Sequence, residues 1–246
     1  MEKTQDEILF KARSYRGVVR TALHLYIDNF RRIFKASWLL TLIYALAAAV
    51  TGTLVTGQVV PVALQMLALP MFRGFIARDH WMLFAAVALL LLLAVAIQLL
   101  IVARVGMLLC EHMTEGHIPT PLRWLAVPGK PLTAALRRIV RAALRHWMLT
   151  LCLLVGGNIL LTPVFLIVGL PALVLLAASV TAQAGTLMGD PLGLPAAMPW
   201  LAAVTWLTAA FIGSYLQLSL LFVGYYAYGA LETRKKERKK QELNLQ

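Results

Sequence analysis

Four stretches of the chain are apolar at nearly every position, with polar residues gathered between them. The first runs from about Ala36 to Thr56 and the second from about Met82 to Ala103. The third starts after Trp147 and continues past Pro163 and Pro171 to about Ala184, and the fourth covers about Trp200 to Tyr228. The apolar residues are continuous, not alternating, so the pattern predicts helices. A hydrocarbon core about 30 Å thick takes about 20 helical residues, which each stretch supplies. The expected fold is all-α: a polytopic transmembrane helical bundle of four spans.

The third run admits two readings, one long kinked span or a tight hairpin of two. Charge separates them. With four spans, eight Lys and Arg precede the first span, seven lie from Arg104 to Arg145, and six from Arg234 to Lys240. Those 21 share one side, against Arg73 and Arg78 on the other. Basic residues are retained on the cytoplasmic side, so four spans with both termini cytoplasmic is the expectation. A split third run would put the C-terminal basic cluster outside.

Two basic amphipathic interfacial helices are expected beside the spans. In residues 1–35, Val19, Leu23, Tyr26, Ile27, Phe30, Ile33 and Phe34 form an apolar stripe, with Arg31 and Arg32 near its end. Within the cytoplasmic segment 111–147, Leu132, Leu136, Ile139, Val140, Ala143, Leu144 and Trp147 follow helical spacing. Arg137, Arg138, Arg141 and Arg145 fill most of the other face. Such a helix lies at the headgroup boundary, so these six arginines are the candidate lipid-headgroup contacts. The remaining segments are a first membrane half at 36–110, a second at 148–230 and a basic tail at 231–246. The halves echo each other: Trp38 and Trp147 are 109 residues apart, as are Arg32 and Arg141, consistent with a parallel repeat.

Composition agrees with lipid as the solvent, since 60% of the 246 residues are hydrophobic and 14% charged. The start of the chain is polar, so no cleavable signal peptide is expected. The net charge of +12 would suit nucleic acid, but it falls where membrane topology already requires it, and no nucleic-acid partner is expected. Cys110 and Cys152 lie in or beside apolar runs and read as small hydrophobes.

Polar groups at membrane depth are Gln98, Asn158, Gln183, Ser214 and Gln217. They predict hydrogen bonds between helices beside small residues such as Gly156, Gly157 and Gly213. Alternatively, Gln98, Asn158 and Gln217 line a solute path. No charged residue sits centrally in a span, which argues against proton pumps and ion-coupled carriers. The dense polar cluster from Cys110 to His117 holds His112, Glu115 and His117, weak candidates for a metal site. Gly116 and Pro119 account for it as a helix end. Phosphate-cradling and nucleophile-elbow motifs are missing from the sequence, so neither catalytic residues nor a cofactor is expected.

Asn29-Phe30-Arg31-Arg32 enters the first span, Glu115-Gly116 is followed by Pro119, and Ala134-Ala135-Leu136-Arg137-Arg138 leads towards the third. This order resembles the membrane domain attached to some bacterial glycerophosphodiester phosphodiesterases, and related stand-alone membrane proteins, over most of the chain. The resemblance implies a bacterial inner-membrane protein. The catalytic barrel of those enzymes has no counterpart here, so no activity carries over. The leading expectation is a non-catalytic scaffold or accessory protein whose basic helices touch anionic lipid. A homo-oligomer or a membrane partner protein fits the same reading. The alternatives are a small solute or lipid transporter and a membrane enzyme acting on lipids.

Overall fold

A computed structural model describes residues 15–115, 147–189 and 195–244, with the single positions 137, 141 and 144. Among the described residues the regular structure is helical throughout, without strands. Four helical stretches there are long and apolar enough to cross a membrane: Phe30–Ala68, Trp81–Leu109, Thr150–Leu187 and Met198–Ala230. The protein is an all-α membrane bundle. In hydrocarbon a span must satisfy its own backbone groups, which a continuous helix does.

The chain enters through α1 (Tyr15–Asp28), a single turn residue, and α2 (Phe30–Leu54). Asn29 barely interrupts the ladder, because its N–H and its Nδ2 both donate to Leu25 O, at 3.2 and 3.0 Å. Arg31 and Arg32 therefore stand in the first turn of the span helix, beyond the break, and not on a pre-span helix reaching residue 35. The first apolar helix also outlasts its expected end at Thr56. Pro61 lacks an N–H and its ring would collide with a carbonyl one turn back. A π-helical turn, Val55–Val59, absorbs the defect: Val60 N–H reaches Val55 O, and α3 (Val60–Ala68) carries on.

Pro70 ends that helix, since a residue before proline is pushed out of the helical region; Leu69 has φ −121° and ψ 69°. Arg73 Nε donates to Met66 O at 2.9 Å, satisfying one of the last carbonyls. A 3-10 turn, Pro70–Phe72, and the short α4 (Arg73–Asp79) lead through His80 into α5 (Trp81–Glu115).

The third run is one helix, α6 (Trp147–Leu187), of 41 residues with Pro163 and Pro171 inside it. At 1.5 Å per residue that is about 60 Å, twice a hydrocarbon core. The hairpin reading falls because helix passes through both prolines. Gly189, with φ +91°, closes it in the left-handed conformation that glycine adopts without strain. The last helix, α7 (Met198–Asn244), has 47 residues and runs through the basic tail segment.

By internal contacts the chain divides into two units: residues 1–38, 100–161 and 215–246 form the first, and 39–99 and 162–214 the second. In the first, Ile33, Ile101, Val105, Leu108, Leu218 and Phe222 are buried almost completely. In the second, five of the eight buried apolar residues are alanines, at positions 45, 49, 94, 172 and 202. Small residues let helix backbones approach, as packing within lipid requires. Gly52 shows this directly, because a Cβ there would overlap the Trp206 ring.

Candidate functional site

Within the first unit, α1 carries three different faces. Val18, Ala22 and Tyr26, at helical spacing of four, are buried. They pack α1 onto α7 through Tyr26, whose ring meets Phe222 edge-on at 5.2 Å and whose hydroxyl donates to Tyr215 O at 2.9 Å. Phe30 and Phe34 extend the contact, with centroids 5.6 and 5.5 Å from Tyr215. The Ser37 hydroxyl, fully buried, donates to Ile33 O at 2.8 Å and lies 3.4 Å from the Tyr215 hydroxyl. Burial, with the Tyr215 phenol as a smaller contributor, pushes the Tyr26 phenol well above the usual tyrosine range.

The other two faces of α1 are a basic row and an apolar row side by side. Arg16, Arg20 and His24 form the first, and Val19, Leu23 and Ile27 the second. Together they line an open cavity of about 530 Å³. The apolar stripe expected from the sequence is thus divided: Tyr26 and Ile33 are buried, Phe30 and Phe34 touch Tyr215 while partly exposed, and Leu23 and Ile27 are exposed, Ile27 by 66%. Periodicity located the stripe, but it cannot say which part of a broad stripe meets another helix. Arg16 and Arg20 lie about three turns or more before Arg31 and Arg32, so nearness to the span does not mark them.

Arg31, Arg32, Arg137 and Arg141 are exposed, and the latter two occupy helical positions. Leu144, on the apolar side of that segment by its spacing, is 71% exposed. Arg138 and Arg145 lie outside the described residues, as does His117. His112 and Glu115 are on the last turns of α5, and their side chains lie outside the description too.

The three intramembrane polar candidates are not brought into one unit. Gln98 belongs to the second, where Ser214 Oγ donates to its Oε1 at 3.2 Å, a bond between α5 and α7. Asn158 and Gln217 belong to the first. Asn158 Nδ2 donates within its own helix, to Leu154 O at 2.6 Å, and Gln217 is exposed. Thr41 Oγ1 and Trp206 Nε1, two polar atoms of the second unit that the sequence reading did not single out, are buried without a hydrogen-bond partner.

The arrangement offers cations and exposed apolar side chains in adjacent rows. Among the described residues no group of three or more metal-binding side chains gathers. Comparison with protein-family models, with curated proteins and with solved structures returned no match to this chain.

Proposed function

We propose that the protein is a non-catalytic integral membrane scaffold or accessory protein that holds basic helices against anionic lipid. One observation carries this reading. The sequence stretches of the first unit contain 21 basic and nine acidic residues, and those of the second contain two of each. The entire net charge of +12 thus belongs to one unit, and the other is neutral. An anionic leaflet attracts such an assembly by about 1 kcal/mol per basic residue near its surface. The exposed Arg31, Arg32, Arg137 and Arg141 supply the headgroup contacts, joined by Arg138 and Arg145. Exposed Leu144, Trp147 and Met148 beside them suit the acyl boundary.

In this reading the membrane is a bacterial inner membrane and both termini are cytoplasmic. The basic asymmetry supports the orientation, and the resemblance to phosphodiesterase-linked membrane domains supports the location. The test replaces Arg31, Arg32, Arg137, Arg138, Arg141 and Arg145 with Gln and measures the anionic phospholipid that co-purifies. The expected outcome is normal insertion with several-fold less retained phosphatidylglycerol, more so at high salt, where surface charge is screened. Unchanged lipid content in the variant would leave these arginines with topology alone.

A further inference from the structure

We infer that the exposed side of α1 is a binding groove for one anionic phospholipid molecule, with phosphate on Arg16 and Arg20 and an acyl chain along Val19, Leu23 and Ile27. This rests on the lipid-contact reading but assigns a discrete site on residues outside its six arginines.

Each row repeats every four residues, so both wind together at about 26° to the helix axis and stay adjacent over about 12 Å. A phospholipid presents the same pairing, an anionic head continuous with an apolar chain. The surface along these rows is open and mostly apolar, which suits a chain lying on it and a headgroup reaching the guanidinium groups at its edge. The aliphatic stems of the two arginines can cover the chain while their guanidinium groups hold phosphate oxygens bidentately. Only Asn29 separates α1 from the first of the long apolar helices. The face opposite is already committed, since Tyr26 fixes α1 to Tyr215 and Phe222.

Charge argues against the chain's own segment 116–146 as the occupant, because it carries six basic residues, from Arg123 to Arg145, and no acid. Segment 1–14 is the competing occupant: Glu2, Asp6 and Glu7 precede Ile8, Leu9 and Phe10.

The experiment is native mass spectrometry of the full chain in detergent, titrated with phosphatidylglycerol or with phosphatidylcholine. The expected result is one saturating phosphatidylglycerol adduct that phosphatidylcholine does not replace. Arg16→Gln with Arg20→Gln should weaken it roughly 30-fold, the effect of two cations at about 1 kcal/mol each. Leu23→Ser with Ile27→Ser should weaken it as well, and Arg16→Lys with Arg20→Lys should retain most of it. These side chains are exposed, and helicity by circular dichroism checks that each variant folds.

Loss in the Gln pair without loss in the Ser pair would overturn the groove and leave a charged surface. An adduct surviving both pairs overturns the site entirely. A cross-link from Leu23→Cys to segment 1–14, undiminished by saturating lipid, overturns it in favour of the chain itself. Failure here alone leaves the general reading intact, because that reading stands or falls on the six-arginine variant.

Discussion

At the scale of single residues, glycines separate packing from mere tolerance. Gly52 faces the rigid Trp206 ring, and a Cβ there would overlap three of its atoms. Gly157 faces Leu220, where a Cβ would lie 2.7 Å from Cδ2, the far end of a flexible side chain. Gly156 has open space at the same position. Overpacking against a fixed ring destabilises by about 1–3 kcal/mol, whereas alanine in an open helical site gains up to about 1 kcal/mol in helix propensity. Gly52→Ala should therefore lower thermal stability in detergent, Gly157→Ala should leave it nearly unchanged, and Gly156→Ala should leave it equal or higher. Equal midpoints for Gly52→Ala and Gly156→Ala would mean that the Trp206 contact does not hold the second unit together. The sequence marked Gly156 and Gly157 as a pair of small residues by a polar group. It could not rank them, because ranking depends on which side chain of another helix stands opposite.

At the scale of elements, the junction of α1 with α7 rests on Tyr26. Removing its hydroxyl in Tyr26→Phe deletes the bond to Tyr215 O, about 0.5–1.5 kcal/mol for a net hydrogen bond, and keeps the ring contact with Phe222. The pH dependence has a definite sign. The Tyr26 phenol sits above its ordinary value in the folded chain, so above about pH 10 the unfolded chain releases this proton first. Tyr26 packing is at full strength below that pH and weakens as pH rises towards the folded value. Limited proteolysis within α1 should rise at alkaline pH in the wild type and depend less steeply on pH in Tyr26→Phe, from a higher starting level. The same pH slope in both would remove Tyr26 as the titrating group. Four apolar helices were legible from hydropathy alone, because continuous apolar runs leave a chain in lipid no other backbone solution. Less legible were the ends of the first, since Asn29 and Pro61 both look like breakers. Asn29 makes a one-residue turn that bonds back to Leu25 O and separates α1 from α2, whereas the π turn at Val55–Val59 makes room for Pro61 and carries the helix on. The basic residues of the candidate site were readable as charges, whereas the groove on α1 depended on knowing that Tyr26 and not Leu23 turns inward.

At the scale of the whole molecule, charge and packing divide the chain at the same places. The unit that holds the whole net charge also buries large side chains such as Phe222, Ile33 and Ile101, while five of the eight apolar residues buried in the neutral unit are alanines. Ile33, Ile101 and Phe222 all lie on helices long and apolar enough to cross a membrane, as the buried alanines of the other unit do. α6 bears on the expected orientation, because a single continuous helix provides for one crossing and not two. A helix of about 60 Å in a core of about 30 Å must tilt or project, but a single crossing leaves the parity of the spans even. Reporter fusions at His80, Pro128, Gly193 and Gln246 should accordingly read outside, inside, outside and inside. His80 suits the first fusion because it lies between α4 and α5, outside the regular helices. The two basic residues beside His80, Arg73 and Arg78, oppose 21 elsewhere, so neutralising them should not alter the pattern. An outside signal at Gln246 with an inside signal at Pro128 would require α6 to cross twice, which a continuous helix does not do, and would overturn both the four-span count and the cytoplasmic placement of the C-terminus.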